Sequence, residues 1–285
     1  MLPRGTIVAQ FTQMVDTLRS YGVKEQEAAV SDIAAHAERI RLAGYSVLPA
    51  AFNERETADF GTRLDEVLRR QTEEFGSDRL QQIGDGFTAR CPLADDAAFL
   101  KLVTHPPLLE LVRMLLGDYV VLMQQNGVIN PPSQGHTQRA YHRDLPYQHF
   151  VSSRPLAIGA LFCIDPFRSD TGATLVIPGS HHAEQFPSAD VAASLEISVD
   201  AEPGSFLLFD AMLFHRAGEN RSGRIRRAVN NVFTVPIIAQ QISLPSALSG
   251  RYSDDPALAR LLGYESAPAG STMEWRARRL RRTGK

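Results

Sequence analysis

Cysteine, tryptophan and unbalanced charge are all scarce in this chain of 285 residues, which carries two cysteines, one tryptophan and a formal net charge of −2. Cys91 and Cys163 make no Cys-x-x-Cys pair and no disulfide framework, so the reading is a reducing, cytoplasmic setting. The near balance of charge offers no cationic excess for nucleic acid or for an anionic membrane surface. No apolar run approaches the roughly 18 residues of a membrane span, and no N-terminal run has the form of a signal peptide. Internal repeats and low-complexity linkers are missing too. What remains is an ordinary globular composition, 44% hydrophobic and 22% charged. A chain of this length buries about three quarters of its surface on folding, enough for a sizeable core. This balance points to no nucleic-acid or membrane partner, and the oligomeric state is left open.

The first third reads as mostly helical. Residues 7–20 space Ile7, Phe11, Met14, Val15 and Leu18 as on one helical face, and residues 25–43 are rich in strong helix formers before Gly44. "YSVLPAAF" reads as a short strand, and Asn53 as the N-cap of an amphipathic helix that follows it. The texture changes after about residue 84. "YVVLMQQNGVI", "LAIGALFCI", "TLVI", "LEISV", "SFLLF" and "RAVNNVFTV" are short β-rich runs separated by Pro, Gly, Asp and Ser. Strands at that spacing, without helices between them, predict a sandwich or barrel rather than alternating βαβ units. The expected organisation is one domain over 1–285: a helical part at about 1–83, a β core at about 84–240 and a tail at 241–285. The basic "MEWRARRLRRTGK" reads as a solvated helix end.

The β-rich part holds the candidate chemistry. In "YHRDLPYQHF", His142 and Asp144 stand two apart, which on a strand puts both side chains on one face and within reach of one metal ion. Two histidines and one carboxylate on one face of an octahedron mark non-haem Fe(II) oxygenases. A chance His-x-Asp is expected roughly 0.4 times in such a chain, so by itself the pair reads first as a surface group or salt bridge. The second element is "FDAMLFHRAGENRSGRIRRAVNNVF", where His215 follows an apolar strand and precedes a Gly/Asn/Ser turn. Arg226 opens the next strand, where a guanidinium could clamp a carboxylate bidentately. Five arginines crowd this segment, and alternation chooses among them. Arg226, Ala228 and Asn230 form a small, polar face suited to a cavity; Arg227, Val229, Phe233 and Val235 form an apolar face suited to packing beneath the N-terminal helices.

These segments, in this order, resemble the phytanoyl-CoA dioxygenase family of 2-oxoglutarate oxygenases. "INPPSQGHTQRAYHRDLPY" resembles its proline-containing loop into His-x-Asp, and "DTGATLVIPGSHH" its strand ending in Pro-Gly-Ser-His. "GSFLLFDAMLFHRAGEN" resembles the strand with the distal histidine, and "RSGRIRRAVNNVF" the strand with the cosubstrate arginine. With "AGYSVLPAAFNERE", the likeness covers about residues 40–235. It implies a double-stranded β-helix, a jelly roll of cupin-like shape with N-terminal helices packed on the sheet. It implies Fe(II) held by His142, Asp144 and His215, 2-oxoglutarate gripped by Arg226, and O₂ as the oxidant. The expected reaction hydroxylates, desaturates or cyclises a small molecule, releasing succinate and CO₂. Asp144 occupies the position that halogenating variants leave to a small residue. Gln125 is a further expected cosubstrate contact, with Gln124 as its alternative. The family often places serine two after the distal histidine; here Ala217 stands there, so the arginine needs another helper. A cupin-like, non-redox metal isomerase or small-molecule binder is the alternative, although cupins favour His-x-His with a nearby Glu. Among the other histidines, His181 reads as part of a Pro-Gly turn, and His149 as either a pocket or a loop residue.

Overall fold

The computed structural model describes residues 31–49, 51–132, 137–145 and 150–283. The expected helix at 7–20, the start of the one at 25–43, and His136 and His149 lie outside these residues. Nine strands are described: β1 (Tyr45–Leu48), β2 (Thr88–Arg90), β3 (Val121–Asn130), β4 (Ala157–Cys163), β5 (Thr174–Val176), β6 (Ile197–Ser198), β7 (Phe206–Asp210), β8 (His215–Ala217) and β9 (Arg226–Thr234). The four longest described helices are α1 (Asp32–Ala43), α2 (Glu54–Phe75), α3 (Pro106–Leu116) and α4 (Thr272–Thr283).

Six strands form one antiparallel sheet in the order β1-β7-β4-β9-β3-β2, and three form a smaller antiparallel sheet in the order β6-β5-β8. Consecutive strands in the chain are mostly not neighbours, as in a jelly roll, where the chain crosses between two sheets. The period-2 alternation of each strand divides the core. On β4, β7 and β9, Phe162, Phe206, Leu208, Val229 and Phe233 face the helices and share one cluster with Ile40, Leu64, Val67, Leu108 and Leu111. The alternate residues Leu161, Cys163, Leu207, Phe209 and Ala228 face inward and meet Ala173 and Val176 of the small sheet. The fold is the expected jelly-roll core with helices on one face.

Local chemistry sets the helices in place. Asn53 caps α2 through a capping box, its side chain accepting from Glu56 N at 3.0 Å while Glu56 accepts from Asn53 N at 3.1 Å. Gly44 ends α1 at φ 89°, left-handed backbone that glycine adopts without steric cost. Gly127 on β3 lets α2 lie close: a Cβ there would sit 2.1 Å from Leu64 Cδ1. One expectation shifts. Helical structure does not stop near residue 83; it resumes after β2 and includes α3, whose Leu108, Leu111 and Val112 are buried against the sheet. In the basic tail, residues 272–283 do form a helix, with Trp275 and Leu280 exposed.

Candidate metal centre

His142, Asp144 and His215 converge, with one potential ligand atom from each lying within 4.8 Å of the others. The backbone causes this. His142 and His215 form a single antiparallel bridge, exchanging N–H···O bonds of 3.0 and 3.1 Å. Two residues on, Asp144 N donates to Ala211 O at 2.9 Å. His142 and Asp144 therefore share a side because two backbone anchors hold them, not because they lie on a continuous strand. His215 opens β8 of the small sheet, and the turn 211–214 separates it from the apolar strand β7 that precedes it.

Both rings are oriented alike. Nδ1 of His142 bonds Ala140 O at 2.9 Å, and Nδ1 of His215 bonds Leu213 O at 2.9 Å. A carbonyl only accepts, so each Nδ1 carries the proton and each Nε2 is turned inward. Those Nε2 atoms lie 3.9 Å (His142) and 3.5 Å (His215) from Asp144 Oδ1. The other carboxylate oxygen, Oδ2, accepts from Asn230 Nδ2 at 3.0 Å. Asn230 thus fixes the carboxylate rotation and leaves Oδ1 for a cation.

The electrostatics agree with that division. Burial pushes the Asp144 carboxyl up, but the hydrogen bond and charge of His215, the charge of His142 and the Asn230 amide outweigh it, and it lies below its usual value. Burial pulls His215 down, yet the Asp144 hydrogen bond and charge hold it above the ordinary histidine value. His142, affected first by burial and then by the charge of His215, lies below it. A carboxylate that stays ionised when buried, with two imidazoles beside it, is a set of donors for a divalent ion.

Arg226 lines the same cavity. Its side chain is buried, its Nε has no hydrogen-bond partner, and one terminal nitrogen donates to Gly172 O at 2.8 Å. Phe167 lies under the guanidinium at 4.4 Å. Burial lowers its pKa to about 10 against the raising influence of Cys163 and Asp165, and it forms no ion pair among the described residues. A buried guanidinium without an anion is costly, so its setting fits a ligand carboxylate. Arg227 points the other way, donating from Nε to Asp165 at 2.8 Å and from a terminal nitrogen to Asp65 of α2 at 2.8 Å.

Gln125 is not brought to this cavity. It lies on the helix-facing side of β3, its amide fully engaged with Leu93 N at 2.9 Å, Phe99 O at 3.2 Å and Asn231 Oδ1 at 2.8 Å. The register shift between Leu122 and Gln124 changes the strand's facing there, and Gln124 borders the Asp144 side instead. His181 sits in the turn after Pro178-Gly179 and bonds Arg41 O at 3.2 Å. Alternation along the sequence puts Asn230 on the cavity face without a role, and Thr174 and Arg216, which also line the cavity, have no place in that reading. The polar inward alternation of β9 was a signal for Asn230; the cross-strand position of Thr174 had none. Asn230→Leu is expected to weaken divalent metal binding by about 10–100-fold, the usual cost of losing a partner of a ligand. A Mn(II) titration followed by paramagnetic resonance would measure it.

A jelly roll with two imidazoles and one carboxylate facing a single point is a candidate mononuclear metal site of the two-histidine, one-carboxylate type. The chain belongs to the phytanoyl-CoA dioxygenase (PhyH) family, whose sequence model matches residues 40–228. It is 33% identical over 216 residues to an uncharacterized protein of Mycobacterium tuberculosis, covering 74% of this chain and 78% of that one. It is 27% identical over 229 residues to dioxygenase af480 of Aspergillus fumigatus, covering 77% and 71%. Among solved structures it is similar to EctD from S. alaskensis with 2-oxoglutarate and 5-hydroxyectoine, at TM-score 0.61 and 22% identity over 75% of this chain and 79% of that one. The epimerase SnoN from nogalamycin biosynthesis matches at TM-score 0.54 and 21% identity, over 72% and 83%. At these identities the structural likeness shows the shared jelly-roll fold, and the family makes the protein an enzyme of oxygenase type. No helix among the described residues is long and apolar enough to cross a membrane.

Proposed function

We propose that the protein is an Fe(II)- and 2-oxoglutarate-dependent oxygenase acting on a small molecule. One observation carries the reading: a His142–Asp144–His215 cluster shares its cavity with a buried guanidinium that has no anionic partner among the described residues. Solved neighbours described as 2-oxoglutarate complexes, EctD among them, support it. A metal site alone would leave the charge of Arg226 unanswered, which argues against a cupin-like isomerase or binder.

In this reading Nε2 of each histidine and Oδ1 of Asp144 hold the metal, and Asn230 keeps Oδ2 turned away from it. When bound, Fe(II) with 2-oxoglutarate supplies the oxidation of an unactivated C–H bond by O₂, with release of succinate and CO₂. Asp144 keeps its place as a ligand, so the product gains oxygen or loses hydrogen and takes no halogen. Arg226 anchors the far carboxylate of the cosubstrate. Val128, Leu161 and Phe209 give the same cavity apolar lining, and a low-dielectric lining strengthens charge pairing inside it.

Thr174 answers the gap left by Ala217. It lies directly across from Ala217 in the β5–β8 register, is buried, and lines the cavity with Arg226. Its hydroxyl serves as the second donor to the carboxylate. Thr174→Val is therefore expected to raise the 2-oxoglutarate dissociation constant about tenfold, as for losing a hydrogen bond to a charged group. Ala217→Ser in the same chain should restore part of the loss. Calorimetric titration with 2-oxoglutarate in the presence of Mn(II) checks both; equal affinity in Thr174→Val and the parent removes Thr174 from the site. The overall reading is tested by incubating the protein with Fe(II), 2-oxoglutarate and O₂ and measuring succinate. No succinate above an iron-free control, with no 2-oxoglutarate binding, would refute it.

A further inference from the structure

Asp144 borders two cavities. One holds Arg226 together with His142 and His215; the other is lined by the apolar Met123, Leu145, Ile237 and Ile238 and by the polar Gln124, Arg143, Gln240 and Gln241. Met123 and Leu145 belong to an apolar cluster in which Ala157, Met212 and Val232 are also buried and on which Ile238 packs. At the rim Ile237 is 82% exposed, an apolar side chain facing solvent beside an apolar hollow.

The charge of this second cavity is already spent. Arg143 is the one cation among its described lining residues, and its guanidinium donates to the carbonyls of Met212, Ser180, Ala183 and Glu184 while lying 3.8 Å over the Phe214 ring. The Gln240 amide donates to Leu122 O and Leu262 O and accepts from Leu244 N. Gln241 Oε1 accepts from Arg90, which is itself paired with Asp85. The Gln124 carboxamide has no hydrogen-bond partner among the described residues and lines this cavity with Asp144.

Resting on the oxygenase reading, we propose that this second cavity receives the primary substrate, and that the substrate is an uncharged, mainly apolar small molecule oriented by a hydroxyl or carbonyl on Gln124. A polyphosphate ligand such as a coenzyme A thioester finds no free cation among the described lining residues, and an unpaired charge taken out of water carries a large penalty. Apolar patches from Met123, Leu145, Ile237 and Ile238, with one amide free of hydrogen bonds among the described lining residues, match a hydrocarbon skeleton bearing one polar group.

The test uses the full chain and the uncharged dye Nile red, whose fluorescence rises in apolar sites. Saturable dye binding is expected, displaced by farnesol and unaffected by coenzyme A. Ile237→Asp, a change at an exposed position, should weaken dye binding by about tenfold or more, because it sets a charge at the apolar rim. Gln124→Leu should leave the dye bound while farnesol displaces it less well. Displacement of the dye by coenzyme A, or unchanged dye affinity in Ile237→Asp, overturns the proposal. Mn(II) and 2-oxoglutarate titrations on the same protein separate the two levels. If they succeed while coenzyme A displaces the dye, the substrate class alone is wrong; if they fail, the oxygenase reading falls and this inference with it.

Discussion

Replacing His215 by alanine is expected to reduce Fe(II) affinity by more than about 100-fold and to abolish turnover, because losing a ligand costs more than losing a ligand's partner. The fold should persist. The bridge between His142 and His215 is made by main-chain atoms, which alanine keeps. The lost imidazole gives up its contact with the Phe209 ring at 4.6 Å and its pairing with Asp144. Removing it leaves a small buried gap and costs on the order of 1–3 kcal/mol, within the range of single substitutions that destabilise without unfolding. His142→Ala should do the same to metal with less effect on stability, since its side chain is partly exposed. Metal titration of apoprotein, paired with thermal melting by circular dichroism, separates the two effects. A His215→Ala protein that still binds Fe(II) stoichiometrically at parental affinity would show that the cluster is a structural ion pair.

Two adjacent arginines supply the second large effect. Arg226→Gln should leave metal binding near parental while weakening 2-oxoglutarate binding by about 2–5 kcal/mol, the usual cost of removing one member of a buried charged pair. That is a rise in dissociation constant of more than about 30-fold, since each 1.4 kcal/mol is a factor of ten. Arg227→Gln should barely change 2-oxoglutarate binding and should instead lower thermal stability, because Arg227 joins β9 to Asp165 and to Asp65 of α2. Ion pairs that are partly exposed contribute modestly, so a shift of a few degrees in Tm is the expected scale. Calorimetric titration with 2-oxoglutarate and a melting curve on each variant give the answer. Reversed effects would mean that the inward face of β9 has been assigned to the wrong residues.

The contrast between these neighbours shows what a strand's alternation can convey. Side chains on β9 alternate faces whatever surrounds them, so a polar inward set and an apolar helix-facing set are already written in "RRAVNNVFTV". Asn231 departs from that pattern. It is polar yet sits on the helix side, where its amide donates to Ala160 O and its Oδ1 accepts from Gln125. The same pair explains Gln125. A glutamine in a buried strand reads as a site residue until the neighbouring strand shows an asparagine that satisfies it.

By itself the sequence determined the jelly-roll texture of short, punctuated strands, the cap and amphipathic face of α2, and the order of His142, Asp144, His215 and Arg226 along the chain. Each of these rests on local rules: the period of side chains along a strand, the capping of helix termini, and the ligand preferences of imidazole and carboxylate. Only the tertiary structure decided that the three donors meet, because their meeting depends on a bridge between segments 73 residues apart, His142 to His215. It alone set Asn230 against Asp144, put Thr174 across from Ala217, and turned Gln125 away. Those facts depend on the register between strands distant in the chain. Register is fixed by how the whole core packs, and no single segment carries that information.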